Sequence, residues 1–101
     1  MNNVQTCSVN PSTIALGGQA NLTVTLDAPA PPGGLTVIVD TDFDGSQDTL
    51  LNTPVSLDFD QGVSTFPFLL QTQVVEGPAT RIIFSAHVGF GPAKAAQLNI
   101  T

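Results

Sequence analysis

The segment Leu57–Glu76, LDFDQGVSTFPFLLQTQVVE, constrains the fold more than any other stretch. Val55, Leu57 and Phe59 alternate with polar residues up to Gly62, and a second alternation follows at Phe66, Phe68 and Leu70. Two period-two runs separated by a glycine turn predict a β-hairpin. No helical period of comparable length occurs elsewhere, so the chain reads as all-β.

The same alternation runs through the rest of the sequence. Leu22, Val24 and Leu26 face one way and Asn21, Thr23 and Thr25 the other. Cys7–Leu16 reads as a first strand that breaks at Pro11 and resumes, as an edge strand tolerates. Leu35–Asp40, Val55–Phe59, Val63–Thr72, Ile82–Val88 and Ala96–Ile100 complete seven short strands, and Leu50–Asn52 is a further short strand or a bend. Asp27–Gly34 (DAPAPPGG) and Asp40–Asp48 read as loops. Turn signals every 8–12 residues predict a sandwich or barrel, and the length suits one domain spanning residues 1–101. Leu22, Val24, Val37, Phe66, Phe68, Phe84 and Leu98 are the expected core.

Charge narrows the partners. Eight acids against two bases, Arg81 and Lys94, give a net charge of −6. Binding to nucleic acid or to an anionic membrane needs clustered Lys and Arg, so neither is expected. No apolar run approaches the ~18 residues of a membrane-spanning helix. The N-terminus, MNNVQTCSVN, lacks the basic and apolar regions of a signal peptide. Two origins follow: use inside a cell, or excision from a longer secreted protein. Cys7 has no second cysteine to pair with in the chain. It reads as a small apolar filler, an intermolecular link or a reactive thiol.

Several stretches resemble the immunoglobulin-like repeats of bacterial and phage surface proteins. They are SVNPSTIALGGQANLTVTLDAPAPPGGLTVIVD, PVSLDFDQGVSTFPFLLQT, TRIIFSAHVG and AAQLNI, about nine-tenths of the chain. The resemblance lies in a Pro-Ser opening, a Gly-Gly turn, a Pro/Gly linker, the glycine-centred hairpin and the closing A-x-L-x-I. Two features depart from it: the acidic run DTDFDGSQD and the phenylalanines Phe66, Phe68 and Phe84. The resemblance implies an immunoglobulin-like β-sandwich of about seven strands in two antiparallel sheets. Leu35–Asp40, Arg81–Val88 and Lys94–Thr101 would share one sheet and the remaining strands the other. It implies a mechanical or adhesive role. Among modules of this type, small capsid decoration (cement) and tail-attached subunits of a phage virion are the leading expectation. The alternative is one repeat from a bacterial surface adhesin or secreted protein, placed at the cell surface or outside the cell.

One constellation carries chemistry. Asp40, Asp42 and Asp44 at alternate positions, then Gly45 and Asp48, copy the first half of a D-x-D-x-D-G calcium loop. Leu51 stands where the bidentate glutamate belongs. Two readings remain, a weak calcium site and a solvated acidic turn, and no cofactor is expected. His87 has no Ser, Cys or second His placed in sequence to act with it, and Asp58 and Asp60 could pair as general acid and base but nothing in the sequence suggests a cleft around them, so an enzyme is not expected. Within one sheet, Ile38, Ile83, His87 and Ala95 would all point away from the core, with the two isoleucines as near neighbours. That face is either scattered apolar exposure or the contact with a protein partner, which includes self-association on a larger assembly.

Overall fold

Alternation decides which face of each strand is buried. In β3 (Gln19–Leu26) Ala20, Leu22, Val24 and Leu26 are buried while Asn21 is exposed. β7 (Arg81–His87) buries Ile82, Phe84 and Ala86 in the same way. The computed structural model describes residues 2–101 and resolves eight strands. Besides β3 and β7 these are β1 (Val4–Asn10), β2 (Thr13–Ile14), β4 (Leu35–Phe43), β5 (Ser56–Phe59), β6 (Thr65–Gln71) and β8 (Lys94–Ile100). Among the described residues the only helical element is a three-residue 3₁₀ turn, Gln47–Thr49.

The strands form two sheets, ordered β1-β3-β6 and β2-β8-β7-β4-β5, antiparallel except for the short parallel pair β2–β8. Their inner faces meet in one core built on Leu22, Val24, Val37, Leu57, Phe59, Leu70, Ile82, Phe84 and Leu98. Each large apolar side chain buried there contributes about 1.5–3 kcal/mol relative to exposure. Phe66 and Phe68, expected in the buried core, are only half-buried at its margin. They lie on β6, an edge strand, where one flank has no neighbouring strand to cover it. The ring of Phe66 still reaches Phe59 across the sandwich, with centroids 5.5 Å apart.

The first strand is two strands. β1 pairs with β3, with a bulge at Gln5. The chain then turns at Pro11, and β2 joins the opposite sheet beside β8. The count is therefore eight rather than seven, and this short strand sits in the sheet that excluded it by expectation.

The predicted hairpin does not form. β5 pairs with β4 in one sheet and β6 pairs with β3 in the other. The Gly62 turn (φ 84°) closes with a Val63 N–H to Asp60 carbonyl bond of 3.0 Å, then crosses between the sheets. It is held by the Pro/Gly loop: Gly62 N–H donates to the Ala30 carbonyl at 2.9 Å and Ala30 N–H to the Val63 carbonyl at 3.0 Å. Leu57 and Phe59 thus enter the core from one side, and Phe66, Phe68 and Leu70 from the other. Val55, grouped with Leu57 by alternation, precedes the strand and is 70% exposed.

The outer edge of β6 is blocked. Leu50–Asn52 forms a bend against it, with Leu51 N–H donating to the Gln71 carbonyl at 2.8 Å. The Asn52 side chain donates to the Leu69 carbonyl (2.8 Å) and accepts from Gln71 N–H (3.2 Å), as a neighbouring strand would. Pro67, two residues back on the same flank, offers no N–H at all.

The sandwich is elongated, 44 × 21 × 18 Å. One pole gathers Asn2, Asn3, the β3–β4 loop, the β5–β6 turn and the β7–β8 connection. Asn3 N–H donates to Asp27 Oδ1 at 3.0 Å there. The opposite pole holds the β2–β3 turn, the segment after β4, the β6–β7 loop and Thr101, whose N–H donates to the Ile14 carbonyl at 2.9 Å.

Candidate functional site

The large sheet places Ile38, Ile83, His87 and Ala95 on one outer face, and the register sets their spacing. Ile38 lies opposite Ser56 on β5 and His87 on β7. The next rung is Asp40–Ser85–Ala95, and the one after it Asp42–Ile83–Gln97. Ile38 is 37% exposed, Ala95 is exposed, and Ile83 and His87 are half-buried.

Ile38 and Ile83 are not near neighbours, contrary to expectation. Ile83 stands four residues from His87, the partner of Ile38, so roughly 13 Å of strand separates them. Antiparallel pairing explains this, because moving forward along β4 means moving backward along β7. Asp40 and Ser85 occupy the rung between. The face is therefore a polar field with two separate apolar points.

His87 links these rungs. Its Nε2 lies 3.3 Å from Asp40 Oδ2, and its Nδ1 lies 2.7 Å from the Gly89 carbonyl oxygen. The ring fixes the end of β7 to β4 and to the start of the β7–β8 connection. Sequence order could not reveal this pairing, since 47 residues separate the partners.

The acidic run is not a loop over its first half. Asp40 and Asp42 belong to β4, which continues to Phe43. Alternation sends both outward, about 6.6 Å apart along the strand, and so keeps their carboxylates from converging. Asp40 sits at His87, and Asp44 lies 3.7 Å from Arg81. Asp48 lies beyond the Gly45–Ser46 turn, with its N–H donating to Ser46 Oγ at 3.2 Å. Among the described residues no three His, Cys, Asp or Glu side chains gather where they could hold a metal ion. Calorimetric titration with calcium should show no binding tighter than about millimolar, the weak end of the range for extracellular calcium modules. Micromolar binding lost on Asp42→Ala would overturn this.

Cys7, on β1, is half-buried. Burial pushes its thiol up to about 11, because the low-dielectric surroundings penalise the thiolate. At neutral pH it is protonated and a poor nucleophile.

Sequence reasoning marks Gly89–Pro92 as a turn, and as a next candidate for the contact after the isoleucine face, without singling out Phe90. It lies at the tip of the β7–β8 connection and is fully exposed, at 110% of its reference area. The tetrapeptide Gly89-Phe90-Gly91-Pro92 was legible as a turn, and an aromatic residue between two glycines was the available signal. Neither a protein-family model nor a curated protein matches the chain. The two-sheet β-sandwich and its surfaces therefore carry the functional reading alone.

Proposed function

We propose that this chain is a non-enzymatic, immunoglobulin-like module that binds or covers another protein, in the manner of a decoration subunit on a phage virion. The strand order supports the immunoglobulin-like reading. Connections cross between the sheets, and the first strand leaves one sheet at Pro11 to join the other.

The observation that carries the docking reading is the outer face of the five-stranded sheet. It is broad and polar, with Asp40, Asp42 and Asp58 exposed on it and Ile38 and Ile83 set apart among them. Two isolated isoleucines give little affinity per contact, so stable coverage depends on many copies acting together on a repeating lattice. The net charge of −6 keeps unbound subunits apart.

A second reading, one repeat of a bacterial surface adhesin, is favoured by the termini. Asn2 and Thr101 lie at opposite poles, as modules strung in series require.

Mass analysis of the native assembly separates the two. Many identical copies bound non-covalently to a lattice support the decoration role, and this segment inside a much longer polypeptide supports the repeat. Ile83→Asp tests the face itself. The variant should fold as the parent does and lose its place on the assembly, because a buried carboxylate without a partner is costly. Normal incorporation of the variant would remove this face as the contact.

A further inference from the structure

We propose that two copies of this chain pair edge to edge along β1, about a two-fold axis, so that the three-stranded sheet of one continues into that of the other. The contact goes beyond the docking reading and does not depend on it, since it uses the other sheet.

The backbone of β1 has one flank to spare. Leu26 N–H donates to the Ser64 carbonyl at 2.7 Å, on the side of β3 that faces β6. Peptide groups alternate in direction along an antiparallel strand, so those of Thr25, Thr23 and Asn21 turn toward β1. Their partners Thr6, Ser8 and Asn10 spend their own N–H and carbonyl groups on them. Cys7 and Val9 therefore aim theirs away from β3, at the margin where β1 is the last strand of its sheet. Among the described residues no loop bonds to them.

The other sheet edges are protected. β2 is two residues long, and β5 is four residues long and carries Asp58. β6 holds Pro67 and is covered by Leu51 and Asn52. β1 runs for seven residues with no proline and no charge, and its bulge at Gln5 leaves Thr6–Asn10 regular. An edge without these devices is a template for another strand.

Charge and pattern identify that strand as a second β1. Residues 1–26 contain no acidic or basic side chain, and neither does β6, so the three-stranded sheet is neutral in a chain of charge −6. β1 also leads into β2, at the end of the larger sheet remote from β4 and β5, which carry Asp40, Asp42 and Asp58. Two acidic chains can meet here with those carboxylates held to the outside. A two-fold axis at Ser8 sets Cys7 against Val9 of the other copy, and Thr6 against Asn10. The inner pair is then apolar on both sides, from residues that are half-buried and packed on the core. The outer pairs are polar on both sides, from residues that are exposed. An axis at Cys7 would oppose Val9 to the polar Gln5, which selects the Ser8 register. In that register each Cys7–Val9 pair exchanges its N–H and carbonyl groups across the axis. A single strand is a narrow contact, so the dimer is weak and forms in concentrated solution.

Sedimentation from micromolar to millimolar protein should show the mean mass climbing toward that of two chains. Over the same range, hydrogen exchange should slow at the Cys7 and Val9 amides. Ser8→Lys sets two like charges face to face across the axis. It should melt with the parent, because Ser8 is exposed, and should self-associate about tenfold more weakly. Ser8→Glu should do the same, and an equal mixture of the two variants should regain association, since Lys then faces Glu. Ile83→Asp, on the other sheet, should dimerise as the parent does. Four results would overturn the proposal. They are a parent that stays monomeric at millimolar concentration, a Ser8→Lys variant that associates like the parent, a mixture no stronger than either variant alone, and an Ile83→Asp variant that stays monomeric.

Discussion

Phe84→Ala is expected to cost about 3–5 kcal/mol, the range for a buried aromatic side chain replaced by a cavity. For a domain near 100 residues that lowers the melting temperature by at least ~12 °C. Phe84 occupies the middle of β7, itself the central strand of the five-stranded sheet, and has no exposed surface. Its cross-strand partners, Thr41 and Ala96, are too small to fill the space it would leave. Phe90→Ala provides the comparison within the same molecule. It removes the same side chain from a site where the ring is fully exposed, so stability should change by no more than ~0.5 kcal/mol. Thermal melts of the two variants check both statements, and an unchanged melt for Phe84→Ala would undo the assigned register.

Gly45→Ala is the second large effect. Gly45 has φ 138°, a conformation that L side chains rarely adopt. That strain costs about 1–3 kcal/mol. An added Cβ would also lie 2.6 Å from Ala79 Cα and 2.8 Å from both Ala79 N and the Pro78 carbonyl oxygen. These are backbone atoms that cannot swing aside, and forced repacking of this kind costs a further ~1–3 kcal/mol. The clash would open the ladder that joins this turn to the β6–β7 loop. That ladder consists of Asp44 N–H to Arg81 carbonyl (2.9 Å), Thr80 N–H to Asp44 carbonyl (3.2 Å) and Ser46 N–H to Gly77 carbonyl (3.0 Å). Gly62→Ala separates the two contributions. Gly62 also has positive φ, but nothing lies within 4 Å of its missing Cβ, so only the backbone cost should appear. Denaturant unfolding of both variants measures the difference, and equal losses would show that the close approach at Ala79 relaxes.

Strands were legible where alternation was clean, as at Asn21–Leu26 and Ile82–Val88, because period two directly reports one wet and one buried face. Pairing was less legible. The apolar residues at Leu57, Phe59, Phe66, Phe68 and Leu70 look the same whether the two strands share one sheet or face each other across the core. The decisive bonds come from Ala30, distant in sequence, and no local pattern encodes them. The acidic run misled for a related reason: D-x-D-x-D spacing suits both a cation loop and the wet face of a strand. β4 continues to Phe43 because Thr41 and Phe43 point inward opposite Phe84 and Ile82. The candidate face was legible as a set of residues. The distance between its two isoleucines was not, since that depends on which β7 residue meets Ile38.

The passage of the first strand from one sheet to the other sets how the module would carry tension. β2 lies parallel to β8, and the ends of the chain leave from opposite poles. A pull applied between Asn2 and Thr101 drags β2 and β8 past each other along their length. The bonds joining them are Asn99 N–H to Ser12 carbonyl (2.7 Å), Thr101 N–H to Ile14 carbonyl (2.9 Å) and Leu16 N–H to Thr101 carbonyl (3.4 Å). They run across the direction of force and are loaded together, in shear, rather than being unzipped one at a time.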